Sequence, residues 1–432
     1  MRLRTCPLLL AASIAVAALP HAAAAQETVL IAPPELPDYD RGRNVSVLEK
    51  SRPDYDAIGV RRGAFLIYPR VAIGAGVSDN VYLTEANKVT DVYAALSPSV
   101  YATSDWSRHQ LSLAGGAALR RYLDESPRNQ DEWYLNALSR ADVGSSFTLT
   151  SEAQAARTQE SPFAGGVVST IAALSSYQRR TAIFRGQYTA SQTRITAAYD
   201  FNHFDFEDVT FTDGTRVRQT DRDRGIHRAI GQYEYALSPS FSVYGQLSYA
   251  QTDYDRRLLN GQPNRSSNAW RLIGGVNFDL SAFMRGTIGV GYVERDYKSA
   301  LYKNVSGPSI EARVEYFPTQ LTTLTFNLRR VLDDSSIGGT SAFFDNQVAV
   351  RVDHELLYNL LINGYAAYAK QDYIDSPLTS DVYRFSAGAR YLVSRDVHLQ
   401  AQVGYGGRSQ NQAAILDDVD EFTAEVGVVL QR

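Results

Sequence analysis

The sequence contains little cysteine or methionine, and it has no long apolar run beyond its first 25 residues. Its 432 residues include one cysteine and two methionines, whereas 11% are aromatic. This profile argues against a helical bundle and against a disulfide scaffold. No run beyond residue 25 reaches the roughly 18 apolar residues that a membrane-spanning helix needs. The sequence therefore excludes a helical membrane protein.

The chain also lacks an excess of positive charge. It has 43 lysines and arginines and 47 aspartates and glutamates, which give a formal net charge of −4 at pH 7. Proteins that bind nucleic acid usually carry a basic surface. We therefore expect no nucleic-acid partner.

The first 25 residues have the pattern of a secretory signal peptide. Arg2 and Arg4 precede the small and apolar stretch 8–19, and Ala23-Ala24-Ala25 offers a cleavage site of the A-x-A type. The apolar stretch is too short to remain as a membrane anchor. We predict that residues 1–25 are removed on export and that the mature chain has no cysteine.

Residues 26–63 differ in composition and in periodicity from the rest of the mature chain. Prolines at 33, 34, 37 and 53 are interspersed with acidic residues, and the apolar residues follow no period. Such segments are typical of extended or disordered arms. We predict a periplasmic N-terminal arm over residues 26–63, and the sequence leaves open whether this arm plugs the lumen.

Residues 64–432 alternate between apolar and other side chains in segments of about 10–14 residues, long enough for a tilted membrane strand. Over residues 241–249, for example, odd positions are apolar or glycine, whereas even positions are serine, tyrosine and glutamine. Successive side chains of a strand point to opposite faces, so each set occupies one surface. Counting these segments predicts roughly 18 strands, within a range of about 16 to 18.

The connections between these segments alternate in length. Short turns are predicted at residues 144–145 and 318–320, and long polar stretches at 124–132 and 207–225. A soluble β-sandwich has shorter strands and no reason to alternate its connections, whereas a membrane barrel has short periplasmic turns and longer extracellular loops. The prediction is all-β: a transmembrane antiparallel up-and-down β-barrel in the outer membrane of a Gram-negative cell.

Several stretches near the start of the predicted barrel resemble a known family. They are Ser51 to Pro69, Asp79-Asn80-Val81-Tyr82, Leu96-Ser97-Pro98 and Ser104 to His109. Together they resemble the opening of the putative beta-barrel porin 2 family, found in outer membranes of alphaproteobacteria and their relatives. The resemblance implies an outer-membrane barrel and a link to export of exopolysaccharide or capsule. It carries over no catalytic residues.

Charged residues fall, by parity, on the strand face opposite the apolar one. A charge facing lipid at the bilayer midplane costs about 2–4 kcal/mol, so these side chains are expected to line the lumen. The predicted lumen-lining charges are Arg185, Arg194, Arg271, Arg285, Arg313, Arg351, Arg384, Arg390, Asp279, Glu311, Glu315, Asp353 and Glu425. They would favour zwitterionic or anionic solutes, and guanidinium groups suit the carboxylates of acidic sugars. Cross-strand ion pairs that stiffen the wall are the alternative interpretation.

The sequence contains no motif that indicates an enzyme, a metal site or a cofactor. The histidines of the mature chain are far apart and lack the H-E-x-x-H spacing of a zinc site. A catalytic triad acting on lipid would need outward-facing groups, whereas parity places His398 inward. We therefore expect neither catalytic residues, nor a metal, nor a cofactor.

These observations leave two main functional hypotheses. The first is a porin-like channel for hydrophilic solutes that contacts outer-membrane lipid. Its narrower form is export of a polysaccharide together with a periplasmic partner. The second is a structural or interaction barrel with a closed lumen, which acts through its loops and its periplasmic arm.

Overall fold

The computed structural model describes residues 45–161, 163, 174–211, 214–280, 283–335, 337, 340–412 and 418–432. The predicted signal peptide and residues 26–44 of the predicted arm lie outside these ranges. Within them, no helix has both the length and the apolar character needed to cross a membrane.

Eighteen long antiparallel strands make up the wall of the molecule. The first nine are β1 (Phe65–Ser78), β2 (Asp91–Ser104), β3 (His109–Tyr122), β4 (Gln130–Val143), β5 (Phe147–Gln159), β6 (Ser176–Ala190), β7 (Thr193–Phe206), β8 (Arg224–Ser238) and β9 (Phe241–Tyr254). The other nine are β10 (Ser267–Leu280), β11 (Met284–Tyr297), β12 (Val305–Thr319), β13 (Thr322–Asp334), β14 (Ala342–Leu357), β15 (Leu360–Tyr373), β16 (Thr379–Leu392), β17 (Val397–Gln410) and β18 (Val419–Gln431).

The sheet closes on itself. Each strand pairs with the next along the chain, and β1 pairs with β18 from Arg70↔Gln431 to Ser78↔Thr423. Closure leaves no strand edge in hydrocarbon, where an unpaired backbone group costs several kcal/mol. The predicted antiparallel barrel and its strand number are therefore confirmed.

The connections differ in length at the two ends of the barrel. At one end, β4 joins β5 through residues 144–146 and β6 joins β7 through residues 191–192; at the other, the loops span 160–175 and 207–223. The 207–223 loop contains a small two-stranded sheet, Val209–Thr210 with Arg216–Val217. The first strand, β1, begins on the short-turn side, and the last strand, β18, ends there. This is the periplasmic side of an outer-membrane barrel.

One predicted turn is displaced. The sequence places a turn at residues 318–320, but β12 continues to Thr319 and the turn occupies residues 320–321. The pairing of β12 with β13 shifts register between Tyr316 and Thr319, which accommodates Pro318. Proline lacks an N–H donor and is tolerated in a strand at such an irregularity.

The two faces of each strand differ in chemistry. On β9, Leu247 is 48% exposed and Val243 is exposed as well, whereas Ser242 and Gln246 are buried. The apolar side chains thus lie on the outside of the cylinder, where hydrocarbon covers them. Exposed aromatic rings such as Trp106 and Phe283 lie at the short-turn end, as expected for a ring of aromatic side chains at the membrane interface.

The described part of the predicted arm, residues 45–63, differs from an extended chain. Residues 47–50 and 53–56 form turns, and Val60–Arg62 pairs with Phe65–Ile67 as a tight hairpin. Gly63 occupies the hairpin turn with φ of 58°, a conformation that favours glycine. The hairpin holds the start of the segment against the first strand of the barrel.

Candidate pore and its closures

The structure places every predicted lumen charge on the interior face of its strand, opposite the exposed apolar side chains. These are Arg185 and Arg194 on β6 and β7, Arg271 and Asp279 on β10, Arg285 on β11, Glu311, Arg313 and Glu315 on β12, Arg351 and Asp353 on β14, Arg384 and Arg390 on β16, and Glu425 on β18. Their role in selecting a solute remains a prediction.

Many of these charges form ion pairs between strands or along one strand. The guanidinium of Arg271 lies 2.8 Å from the carboxylate of Glu311 on β12. Arg351 donates two hydrogen bonds, of 2.8 and 2.9 Å, to Asp353 on its own strand. Such pairs reinforce the wall and leave the paired carboxylates little exposed.

Other interior charges remain in contact with water. The side chain of Arg313 is 56% exposed although it lies on the interior face and bonds to Glu315. The side chain of Arg351 is 30% exposed. A dry, packed interior would cover both guanidinium groups, so the barrel encloses space that water can enter.

Glu425 lies where the sheet closes. It accepts a hydrogen bond of 3.1 Å from the Tyr93 hydroxyl on β2, and the guanidinium of Arg120 on β3 lies 3.7 Å away. The same guanidinium stacks over the Tyr93 ring, 4.3 Å from its centroid. These contacts join the last strand to the second and third strands on the interior side.

Asp334 forms the first closure at the extracellular end. This residue ends β13, and its carboxylate bonds the Arg295 guanidinium of β11 and accepts a 3.1 Å hydrogen bond from the Tyr254 hydroxyl of β9. Arg224 at the start of β8 comes within 3.9 Å of the same carboxylate. Because β8 and β13 are not neighbours in the sheet, these contacts reach over the mouth of the barrel.

Phe163 forms a second closure at the same end. It belongs to the connection between β5 and β6, yet it packs against Leu83, Val382 of β16 and Val419 of β18. A Cβ on Gly406 of β17 would lie only 2.8 Å from the Phe163 ring. The ring therefore rests against a part of the wall far from its own strands.

An ion pair supports the loops behind Phe163. Glu160 is buried and bonds the guanidinium of Arg222, which belongs to the 207–223 loop and whose side chain is 17% exposed. Burial acts to raise the pKa of Glu160, but the Arg222 charge and hydrogen bonds outweigh it, so the pKa of Glu160 lies below its usual value. The ion pair of Glu160 with Arg222 thus holds the two longest loops together, with both groups charged.

The periplasmic end is covered by residues 45–56, which we call the N-terminal segment. The amide of Val47 donates to the Thr323 hydroxyl on β13, at 3.0 Å. The guanidinium of Arg52 lies 2.8 Å from Glu355 on β14, with both side chains about 95% buried. The segment is therefore anchored inside the mouth of the barrel, not beside it.

The N-terminal segment also contacts the wall at β17 and β18, several strands away from β13 and β14. The Tyr55 carbonyl accepts a hydrogen bond of 3.4 Å from the Gln431 amide on β18 and lies 3.3 Å from His398 Nε2 on β17. Arg395, in the turn between β16 and β17, donates to the Pro53 carbonyl at 2.8 Å. These contacts extend along the wall from β13 to β18, so the segment covers this part of the periplasmic opening.

Glu49 adds a charged contact. Its carboxylate lies 2.9 Å from the guanidinium of Arg285 on β11. Burial acts to raise the pKa of Glu49, but the Ser46 amide and the Arg285 charge outweigh it, so the pKa lies below the usual 4.5. The contact is therefore fully charged near neutral pH.

Sequence reasoning left open whether the arm plugs the lumen, and it identified none of the contacts that close the two mouths. It marked the interior charges Arg285 and Glu315 but not the buried pair of Arg52 and Glu355, which are 303 positions apart. The available signal was the run Glu49-Lys50 followed by Arg52, opposite-sign charges in a segment otherwise rich in proline.

Comparison with solved structures finds outer-membrane proteins of Pseudomonas aeruginosa. The outer membrane protein opdK is 9% identical, with 85% of this chain and 99% of that chain covered and a TM-score of 0.43. OpdL is 10% identical, with 86% and 99% covered and a TM-score of 0.43. A ferric enterobactin receptor mutant is 9% identical, with 85% and 80% covered and a TM-score of 0.44. Similarity at this level says nothing about substrate.

No curated protein matches the chain. The model of the family described as putative beta-barrel porin 2, however, matches residues 52–432. This range includes Arg52, the closed wall of strands and all of the interior charges described above. The chain therefore belongs to the putative beta-barrel porin 2 family and is a porin-like β-barrel of the outer membrane.

Proposed function

We propose that this protein is a gated channel for small hydrophilic solutes. The observation that carries the proposal is the exposure of Arg313: a charged side chain on the interior face of the wall is 56% exposed. Barrels of 16 to 18 strands are wide enough to enclose an aqueous channel. An interior lined by charges admits polar solutes and excludes apolar ones.

The gating part of the proposal rests on what covers the two mouths. The N-terminal segment and Phe163 do not belong to the wall, so both can leave without breaking a strand pairing. Asp334 does belong to the wall, but its contacts with Arg295 and Tyr254 are made by side chains. Each closure is thus separable from the barrel that it covers.

Conductance in planar lipid bilayers tests the channel. We expect purified full-length protein to give brief, discrete current steps, because the closures hold most molecules shut. The double variant Arg52→Ala with Asp334→Asn should conduct for most of the recording. Both proteins should show the same heat-dependent shift in electrophoretic mobility, which reports a folded barrel. A folded double variant that never conducts, both with and without the further change Phe163→Ala, would reject the channel.

Export of a polysaccharide is the narrower proposal. It is supported by the interior arginines, whose guanidinium groups suit acidic sugars, and it would require a periplasmic partner that displaces the N-terminal segment. Deletion of the gene should then remove secreted polysaccharide while uptake of small solutes stays normal. Normal polysaccharide in the deletion strain would dismiss this form and leave the small-solute channel standing.

A closed structural barrel is the second candidate function, and the contacts across both mouths favour it. In that case the loops and the N-terminal segment would carry the function and the lumen would conduct nothing. Loss of envelope integrity on deletion, combined with no conductance from the folded double variant, would support it. Neither candidate includes an enzymatic activity.

A further inference from the structure

The interior ion pairs of the wall are not equally open to water at their two ends. In the pair of Arg313 with Glu315, the arginine side chain is 56% exposed and the glutamate side chain is 9% exposed. The side chain of Arg351 is 30% exposed, whereas that of Asp353 is 5% exposed. In both pairs the water of the lumen therefore meets the guanidinium group and hardly reaches the carboxylate.

The same asymmetry occurs in another part of the wall. The guanidinium of Arg194 on β7 lies 3.6 Å from the carboxylate of Glu234 on β8, and the two side chains are 28% and 4% exposed. β7 is five strands away from β12, which carries Arg313, along the closed sheet. Exposed guanidinium groups thus face the lumen from separate parts of the wall.

The lengths of the side chains explain this asymmetry. An arginine buries its methylene stem along a surface and keeps its guanidinium head in water. Aspartate and glutamate are shorter, so their oxygens stay close to the backbone. Arg271 and Glu311, which are 11% and 6% exposed, follow the same order in a more crowded place. These pairs therefore present their positive ends to the lumen.

The N-terminal segment contributes a pair of the opposite order, since Glu49 is 33% exposed and its partner Arg285 is 11% exposed. Glu49 leaves the lumen with the segment when the channel opens. The departure uncovers one wall carboxylate, Glu355, and one guanidinium group, that of Arg285. Residues 45–56 carry two cations and three carboxylates, so their release removes more negative than positive charge. Opening therefore keeps the accessible charge of the lumen positive.

We propose that the open lumen selects small anions, carboxylates included, over cations, and that Arg194, Arg313 and Arg351 determine this selectivity. The strand pattern alone does not distinguish anions from zwitterions, because it gives charges of both signs an interior position. The exposed fractions do distinguish them. Arginine and lysine side chains line anion pores, and a cleft lined by one sign of charge concentrates ions of the opposite sign. The proposal rests on the channel function.

Reversal potentials in planar lipid bilayers test the selectivity. Current steps of the full-length protein are recorded across a gradient of potassium chloride, whose two ions have nearly equal mobilities in water. We expect chloride to permeate at least about threefold more readily than potassium. Acetate in place of chloride should leave the sign of the reversal potential unchanged. Equal permeability of chloride and potassium, a preference for potassium, or a reversed sign with acetate would overturn the proposal.

The salt concentration separates electrostatic selection from selection by size. Exposed charges are screened over about 10 Å at 0.1 M salt and over about 3 Å at 1 M salt. The preference for chloride should therefore fall between these two concentrations. A preference that stays constant would assign the selectivity to the width of the pore and overturn the role of the arginines.

Variants identify the residues. Arg313→Gln should lower the ratio of chloride to potassium permeability at least about twofold, whereas Arg313→Lys, which keeps the charge, should retain most of the preference. Arg121→Gln is the matched control. Arg121 is 46% exposed and pairs with Asp131, but it lies on the outer face of β3, in phase with the exposed Leu113. Its removal should leave the ratio unchanged, and equal effects of Arg121→Gln and Arg313→Gln would contradict the assignment.

The combination of Arg194→Gln, Arg313→Gln and Arg351→Gln should abolish the preference for chloride. The heat-dependent shift in electrophoretic mobility reports which variants fold, and the three single variants replace the combination if it does not fold. A preference that survives in all of them would overturn the assignment. Conductance without a preference for anions rejects only this proposal, whereas folded variants that never conduct reject the channel and its selectivity together.

Discussion

The anchor of the N-terminal segment gives the sharpest prediction. In Arg52→Ala, the segment loses the ion pair with Glu355, whose two side chains are 4% and 5% exposed. It also loses the hydrogen bonds that Arg52 donates to the Val47 and Lys50 carbonyls. We expect the periplasmic mouth to open far more often than in the unmodified protein.

The size of the effect follows from burial. Removing one partner of a buried ion pair costs about 3–5 kcal/mol. Lys50 stays 2.8 Å from Glu355 and compensates in part, so the lower value of about 3 kcal/mol applies. That energy corresponds to a change of about two powers of ten in the ratio of open to closed molecules.

Single-channel recording provides the assay, with Arg61→Ala as the control. Arg61 belongs to the same predicted arm, but its ion pair with Asp105 has side chains that are 57% and 42% exposed. Exposed pairs contribute about 0–1 kcal/mol, so the control should open as rarely as the unmodified protein. Equal open probability in Arg52→Ala and Arg61→Ala, in folded barrels, would refute the reasoning.

Three further predictions concern pH, the extracellular closure and strand packing. Because docking lowers the pKa of Glu49 below 4.5, its contribution is complete above about pH 4.5 and is lost below it. Open probability should rise there, and it should rise less in Glu49→Gln, in which the Glu355 carboxylate alone still anchors the segment; an equal rise in both proteins would contradict the role of Glu49. Asp334→Asn leaves a buried arginine unbalanced and should destabilise the barrel by about 3 kcal/mol in urea unfolding; unchanged stability would contradict the closure. Gly291→Ala places a Cβ against the Leu272 carbonyl and should reduce barrel assembly, measured as the heat-dependent shift in electrophoretic mobility. The control Gly274→Ala should assemble normally, because its added Cβ has no atom within 4 Å.

The wall of the barrel could be predicted because lipid and water impose opposite demands on successive residues. Leu247 and Ser248 on β9 are neighbours in sequence, yet one is 48% and the other 7% exposed. That contrast repeats along each strand and fixes both its face and its length. The sequence does not predict the turn at residues 358–359, because Tyr358 and Asn359 include none of the glycine, proline or serine found in the turns that it does predict.

The closures could not be predicted in the same way. Each depends on a contact between distant parts of the chain, such as Arg52 with Glu355 or Phe163 with Val382. No periodic pattern records such a contact, since a single side chain makes it. The contact of Glu425 with Tyr93 has the same origin: the alternation along β18 gives the direction of the carboxylate, whereas only the closed sheet brings Tyr93 of β2 beside it.

The hairpin at Val60–Arg62 has a consequence for how the periplasmic mouth recloses. Residues 57–64 tether the N-terminal segment to β1 and reach at most about 28 Å when fully stretched, and the hairpin shortens that reach. A released segment therefore stays at an effective concentration in the millimolar range relative to its own docking surface. Reclosure is then a first-order event, independent of how many barrels the membrane contains. A competitor binds that surface only if its concentration relative to its Kd exceeds that of the tethered segment.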